Sequence, residues 1–144
     1  AKLASTQPMG FGADGIAWDG GSNLYVNIFT DSRLHRFPIN TDGTAGAIVD
    51  IGVTTGLTNP DGMRMLDANN LILVEGGGSS RLTKMNINGT TAAGTTVMGG
   101  LDGPTSVVKY ENYYYVSEGQ LGHLFGQIAG PPNLPFKIRR IAAQ

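Results

Sequence analysis

Short apolar runs separated by turn-forming residues recur along the whole chain, and none of them keeps a helical period. The alternation predicts strands in the first third at 13–19, 23–29, 32–38 and 46–51. Further strands are predicted at 60–66, 70–75, 80–87, 93–98, 104–110, 112–118 and 136–142. One helical turn fits within "GQLGHLF". The pattern therefore predicts an all-β protein.

The predicted strands repeat with a period of about 45 residues. Asp14-Gly15 recurs as Asp61-Gly62, and Asn23-Leu24 recurs as Asn70-Leu71 at the same offset. "YYV" and "KIRRI" occupy the corresponding places in a third copy. Four short strands in each repeat of this length are typical of β-propeller blades. We expect one domain, 1–144, with blades at about 10–52, 54–100 and 101–144.

The third repeat lacks a fourth strand, and three blades are too few to form a closed ring, which takes about four to eight. Two solutions stay open. Either the chain is half of a six-bladed ring whose other half is missing, or two copies pair head to tail as a homodimer. In the second solution, residues 1–6 of each chain complete the last blade of the partner. We favour the homodimer.

Composition narrows the classes of partner. The net charge is −1 and no basic run exceeds Arg139-Arg140, so no nucleic-acid partner is expected. No apolar segment approaches the ~18 residues of a membrane span, so no membrane partner is expected. The absence of Cys excludes disulfides and thiolate metal sites. The opening "AKLASTQPMG" is compatible with a removed targeting segment, which slightly favours an extracellular or periplasmic location.

Three segments resemble the senescence-marker-protein/gluconolactonase family of six-bladed propellers: "ADGIAWD…NLYV", "NPDGMRMLDANNLILVEG" and "GPTSVV…YYVSEGQLGHLF". The likeness covers the C-terminal half of such a protein. It implies a divalent metal, often calcium, in the central channel and hydrolysis of sugar lactones or related esters. By position, Asp61 matches an aspartate ligand of the family, and Asp14 lies where the family has an asparagine ligand. The family's N-terminal glutamate ligand has no counterpart in this sequence.

Propeller topology predicts that four acids share one rim. Asp14 and Asp61 begin inner strands, whereas Glu75 and Glu118 end second strands, and both kinds of connection lie on the same face. The long loop after Glu118 also rises there and carries His123. Metal-assisted hydrolysis would then use a cation on Asp14 and Asp61, with Glu118 or His123 moving the proton.

Each of these residues also has a structural interpretation. Asp14 and Asp61 precede glycine, and an Asp-Gly pair after Asn-Pro is typical of a type I turn. Glu75 and Glu118 fit solvated turn positions, and His123 fits a residue that pins its loop through a backbone hydrogen bond.

Two further expectations concern the packing, and two the function. His35 is expected on the surface and Trp18 in the core. In place of a lactonase, the chain could be a non-catalytic propeller that binds a ligand or protein at its rim. It could equally be an isolated or engineered half-propeller without activity of its own.

Overall fold

The computed structural model describes residues 6–8 and 10–143. Eleven strands and one helical turn are found in this part of the chain. In chain order they are β1 Ala13–Trp18, β2 Asn23–Ile28, β3 Arg33–Pro38, β4 Val49–Val53, β5 Pro60–Asp67, β6 Asn70–Glu75, β7 Arg81–Asn88, β8 Thr91–Met98, β9 Pro104–Tyr110, β10 Tyr113–Glu118, α1 Leu121–Leu124 and β11 Lys137–Ala142. The predicted strands and the helical turn are confirmed, with strand ends displaced by no more than three residues.

The strands form three antiparallel meanders, each following the chain. They are β1–β4, β5–β8 and β9–β11. A short parallel contact, in which Gly52 pairs with Thr91 and Val53 with Ala92, joins β4 to β8 at the outer edges of the first two sheets. Within the described residues the third sheet ends at β11. The strand predicted to complete it, residues 1–6 of a partner, lies outside the described residues except for Thr6.

Two apolar cores hold the three sheets face to face. In β6, Leu71 and Leu73 face the first sheet, whereas Ile72 and Val74 face the third, so this strand is buried on both sides. The first core is completed by Ala17, Tyr25, Leu34, Ile51, Met63, Met85, Ile87 and Ala92. The second is completed by Leu82, Leu101, Val107, Tyr114, Val116 and Ile141. Each fully buried aliphatic side chain stabilises the stack by roughly 1.5–3 kcal/mol.

The inner strands β1, β5 and β9 approach one another closely because glycines face the neighbouring backbone. A Cβ atom on Gly15 would collide with the carbonyl oxygen of Asp61, and one on Gly62 would lie 2.7 Å from that of Thr105. The buried Asn27 side chain joins β1 to β5: its Oδ1 accepts a hydrogen bond from the Gly15 amide at 3.0 Å, and its Nδ2 donates one to the Asp61 carbonyl at 2.7 Å. The glycine of the repeated Asp-Gly pair is thus required for the close packing of adjacent inner strands.

Two packing predictions are wrong. Trp18 is 58% exposed, because it shares with Ile16 the face of β1 that points away from the second sheet. His35 is buried, with Nδ1 2.6 Å from Asp50 Oδ1, because it lies inside its sheet between Val26 of β2 and Asp50 of β4. In the described residues no helix has the length and hydropathy to cross a membrane.

Candidate functional site

A cleft of about 760 Å³ opens on one rim of the molecule. Its walls come from the segments leading into β1, β5 and β9 and from those following β2, β6 and β10. The sequence-based expectation that these two kinds of connection share a rim is therefore confirmed. Among the four predicted acids, Asp61 lines the cleft.

Asp61 and Asp14 influence each other at the start of the inner strands. Burial, followed by repulsion from the Asp14 carboxylate, raises the pKa of Asp61 to about 6, although a hydrogen bond from the Gly62 amide acts in the opposite direction. Partial burial also raises the pKa of the more open Asp14. Two neighbouring carboxylates in such a place favour a bound proton or a cation. The two residues predicted as metal ligands therefore lie on adjacent inner strands, within electrostatic range of each other.

The pair supplies oxygen donors of the kind that calcium prefers. Over residues 6–8 and 10–143, however, no group of three or more His, Cys, Asp or Glu side chains is close enough to hold a metal ion. Calcium takes about six to eight oxygen ligands, so Asp14 and Asp61 fit part of a site. The remaining ligands would be water, backbone carbonyls or side chains beyond those described.

Glu75 fastens the loop that leads into β5. Its carboxylate is fully buried and accepts hydrogen bonds from Arg81, with Nε at 2.8 Å and Nη2 at 2.9 Å. It also accepts from the Thr83 hydroxyl and, at 2.8 Å, from the Thr58 amide. The interpretation of Glu75 as a solvated turn residue is therefore wrong.

Glu118 makes the equivalent contacts in the third sheet. Its Oε1 accepts from the Asp102 amide at 3.0 Å, and both carboxylate oxygens lie 3.2 Å from Arg139 Nη2. Asp102 and Thr58 each lie two residues before an inner strand. The two glutamates therefore make the same contact in successive sheets, a latch in which the carboxylate at the end of the second strand binds a backbone amide of the loop before the inner strand. Glu118 is 2% exposed, which also rules out the solvated interpretation.

His123 lies in α1 and pins the long loop as its structural interpretation predicts. Its Nδ1 is 2.9 Å from the carbonyl oxygen of Gly130, so this nitrogen carries the hydrogen and Nε2 is left to exchange a proton. Gln120 and Asn133 close the same loop with two hydrogen bonds of 2.7 Å. His123 lines a second cleft of about 430 Å³, which shares only Leu121 with the larger one. Neither His123 nor Glu118 is among the residues that line the Asp61 cleft.

Three phenylalanines in the cleft wall were not identified from the sequence. The ring centroids of Phe11 and Phe29 are 5.9 Å apart in an edge-to-face arrangement, and those of Phe11 and Phe125 are 5.7 Å apart. Phe11 and Phe29 flank the first sheet, whereas Phe125 comes from the loop of the third. Isolated aromatic residues in separate loops carry no periodic signal, so only the fold reveals the cluster.

Comparison with known proteins places the fold. No family model and no curated protein sequence matches the chain. Among solved structures, a luciferin-regenerating enzyme superposes with a TM-score of 0.67 at 16% sequence identity. The match covers 91% of this chain and 45% of the other, so this chain spans about half the length of that enzyme. At this identity the likeness establishes the fold alone, which is a β-propeller.

Proposed function

The chain has a β-propeller fold, and we propose that it supplies the acidic wall of a metal-dependent hydrolase acting on lactones or related esters. The observation that carries the proposal is that Asp61 lines a cleft large enough for a small molecule, at the start of a strand that contacts the strand of Asp14. Perturbed carboxylates in a cleft are candidates for functional groups. The resemblance to sugar-lactone hydrolases supports the reaction class.

In this proposal Asp14 and Asp61 hold the cation, with calcium preferred because every donor is oxygen. A bound divalent cation polarises a carbonyl group and lowers the pKa of a coordinated water. Asn27 ties the backbone of the two strands together next to these residues, by accepting from the Gly15 amide and donating to the Asp61 carbonyl. The phenylalanines that line the same cleft as Asp61 would cover the apolar part of the reacting ester.

Proton transfer falls to His123 rather than to Glu118. Both Glu118 oxygens are engaged by Arg139, and one also binds a backbone amide, so releasing this carboxylate would break the latch of the third sheet. The His123 ring keeps Nε2 for proton exchange while Nδ1 holds the loop. This role requires the loop to bring His123 toward the larger cleft.

We further propose that the three sheets are half of a six-bladed ring, closed head to tail by a second copy of the chain. An isolated half would leave apolar blade faces in water. Two copies would place a second Asp14–Asp61 pair across the channel from the first, and therefore more carboxylate oxygens around it. A single copy is then expected to be inactive.

A calcium titration tests the metal site. Saturating calcium should raise the melting temperature of the wild type relative to a chelator control, because a ligand present at 100 times its Kd stabilises a protein by about 2.7 kcal/mol. Asp61→Asn and Asp14→Asn should lose most of this shift. Asp42→Asn, an exposed carboxylate in a turn, should keep it. Hydrolysis of a lactone should depend on calcium in the same way. A wild type whose melting temperature ignores calcium and whose hydrolysis ignores the chelator would overturn the assignment.

A propeller that binds without catalysis is the second candidate. The finding that favours it is the absence of a three-ligand acidic or histidine cluster in the described part of the chain. In that case Asp14 and Asp61 serve the inner-strand turns, and the cleft holds a ligand that is not turned over. Binding of a lactone analogue without any hydrolysis of the lactone, with and without calcium, would favour this candidate.

A further inference from the structure

We infer that the ligand of the larger cleft is a neutral molecule with an apolar ring or chain, and not a polyhydroxylated sugar lactone. As a statement about substrates this rests on the proposed hydrolysis, but as a statement about binding it stands separately. Three features of the cleft carry it: the aromatic cluster, the apolar wall beside the long loop and the distribution of charge.

The aromatic cluster offers unsatisfied apolar surface in a concave place. Phe11 is 57% exposed and Phe125 is 47% exposed, although each ring also contacts the other. Large apolar side chains left open to solvent inside a cleft mark ligand-binding surfaces. The edge-to-face contact between Phe11 and Phe29 fixes the ring planes, so a planar or aliphatic group can pack against them without ordering flexible side chains.

The long loop contributes a second apolar wall. Ile128 packs over Gly122, where a Cβ atom would lie 2.7 Å from the Ile128 side chain, and both residues line the cleft with Leu121. Leu101 adds a buried aliphatic side chain at the start of the third sheet. An aromatic wall and an aliphatic wall therefore border the same space, which suits a ligand with an apolar body.

Charge excludes anionic ligands. The charged side chains among the described lining residues are the carboxylates Asp61 and Asp102, and no Lys, Arg or His is found there. Without a bound metal ion, a phosphate or carboxylate would find no basic side chain among these lining residues to pair with and would be repelled. Ester hydrolysis adds water across the acyl C–O bond and yields an alcohol, a carboxylate and one proton, so the acidic product would leave readily. Polar lining residues such as Thr30, Asn59 and Gln127 can meet some hydroxyl groups of a sugar, but hydroxyl groups packed against the phenyl rings would lose their hydrogen bonds to water without replacement.

Binding of non-hydrolysable lactams tests the inference on the 144-residue chain in its native form, by calorimetry or by NMR shift titration. The probes are γ-phenyl-γ-butyrolactam, gluconolactam and phenylbutyrate. We expect the phenyl lactam to bind at least about tenfold more tightly than either of the other two, because a well-packed aromatic contact contributes about one factor of ten.

Phe125→Ala should weaken binding of the phenyl lactam by roughly tenfold, and Phe11→Ala should weaken it to the same extent. Phe136→Ala is the matched control, because Phe136 is an exposed phenylalanine that lines the smaller cleft. Circular dichroism and melting temperature confirm that each variant is folded. Shifts confined to the cleft residues identify the binding site.

Equal or tighter binding of gluconolactam or phenylbutyrate, or equal effects of Phe125→Ala and Phe136→Ala, would overturn the inference. So would the absence of any phenyl lactam binding at millimolar concentration. Tight phenyl lactam binding without hydrolysis of the matching lactone in calcium would support the inference and count against the proposed hydrolase. Calcium-dependent hydrolysis of gluconolactone in preference to the phenyl lactone would support the hydrolase and overturn the inference.

Discussion

At the scale of single residues, two contacts fix the backbone on which the Asp61 carboxyl group is carried. Gly62 is required where this backbone packs closely against β9, and the backbone carbonyl of Asp61 accepts a hydrogen bond from Asn27. The chain is thus held where the Asp61 side chain is half-buried and is repelled by the charge of Asp14. The resulting rise in pKa gives the folded state a measurable dependence on pH.

Asp61→Asn should stabilise the metal-free protein at neutral pH. The pKa of Asp61 is about 6 in the folded chain and about 3.9 in the unfolded chain. Between these values the folded state binds more protons, so the free energy of unfolding falls as the pH rises and stays lower above pH 6. Asparagine does not ionise, so the variant lacks this pH-dependent loss of stability. Urea unfolding in chelator should show a gain of about 1 kcal/mol at pH 7, after allowance for solvent screening, and little difference below pH 4.

Asp42→Asn is the contrast for this experiment. Hydrogen bonds from the Thr44 hydroxyl and amide lower the pKa of Asp42, so its ionised carboxylate favours the folded state at neutral pH. Asp42→Asn should therefore not stabilise the protein. Parallel pH profiles for the wild type and Asp61→Asn would show that Asp61 titrates normally.

At the scale of secondary-structure elements, each sheet ties the loop before its inner strand to the end of its second strand. Glu75 and Glu118 do this with carboxylates. In the first sheet Ile28 occupies the equivalent position, and the Thr30 hydroxyl accepts from the Phe11 amide at 2.7 Å instead. The cleft is therefore built on loops that three similar latches hold in place.

Glu75→Gln should destabilise the protein more than Glu118→Gln. Glu75 is fully buried and accepts two hydrogen bonds from the partly exposed Arg81, so loss of its charge removes the counter-ion of this guanidinium and should cost about 3 kcal/mol. Glu118 makes longer contacts to the more exposed Arg139, and about 1–2 kcal/mol is expected. Urea unfolding measures both, with the exposed Glu111→Gln as the control. The reverse order of the two losses would contradict the assignment of the latches.

At the scale of the whole molecule, comparison of the repeats shows that the first and last sheets each have an apolar face without a neighbouring sheet in the described part of the chain. Ile16 corresponds to Met63 and to Val107, which are buried against the preceding sheet, yet Ile16 is 54% exposed. At the other end, Ile138 corresponds to Leu82, which is buried in the second core, yet Ile138 is 73% exposed. The first sheet therefore exposes one side of a sheet-to-sheet interface, and the third sheet exposes the other side. The complete interface occurs twice within the chain, as the two apolar cores.

The chain should consequently form a closed pair in solution. Sedimentation should give a particle of twice the chain mass of 15.1 kDa. Ile138→Asp should dissociate it, because a charge would have to be buried where an aliphatic side chain packs. Thr95→Asp, an exposed position on the outer strand β8, should leave the mass unchanged. A wild type that sediments as one chain would refute closure by a second copy.

Particular residues show how far the sequence could predict the site. Asp14 and Asp61 were identified because both begin equivalent strands, and these two strands are neighbours in the fold. Glu118 was identified by the same reasoning, but its role depends on Arg139, a residue distant in sequence that reaches it only after the third sheet forms. The sequence places an acid on the rim, whereas its partner determines whether it is available for chemistry.

The amino-acid sequence by itself determined the strands, the turns and the repeat, because period-two alternation and Asn/Gly turns are local properties. Tertiary structure alone decided that Trp18 is exposed and His35 buried, that two glutamates are latches, and that three distant phenylalanines form one wall. These outcomes depend on which face of each sheet meets its neighbour. That choice is made by the packing of whole blades, and no single strand encodes it.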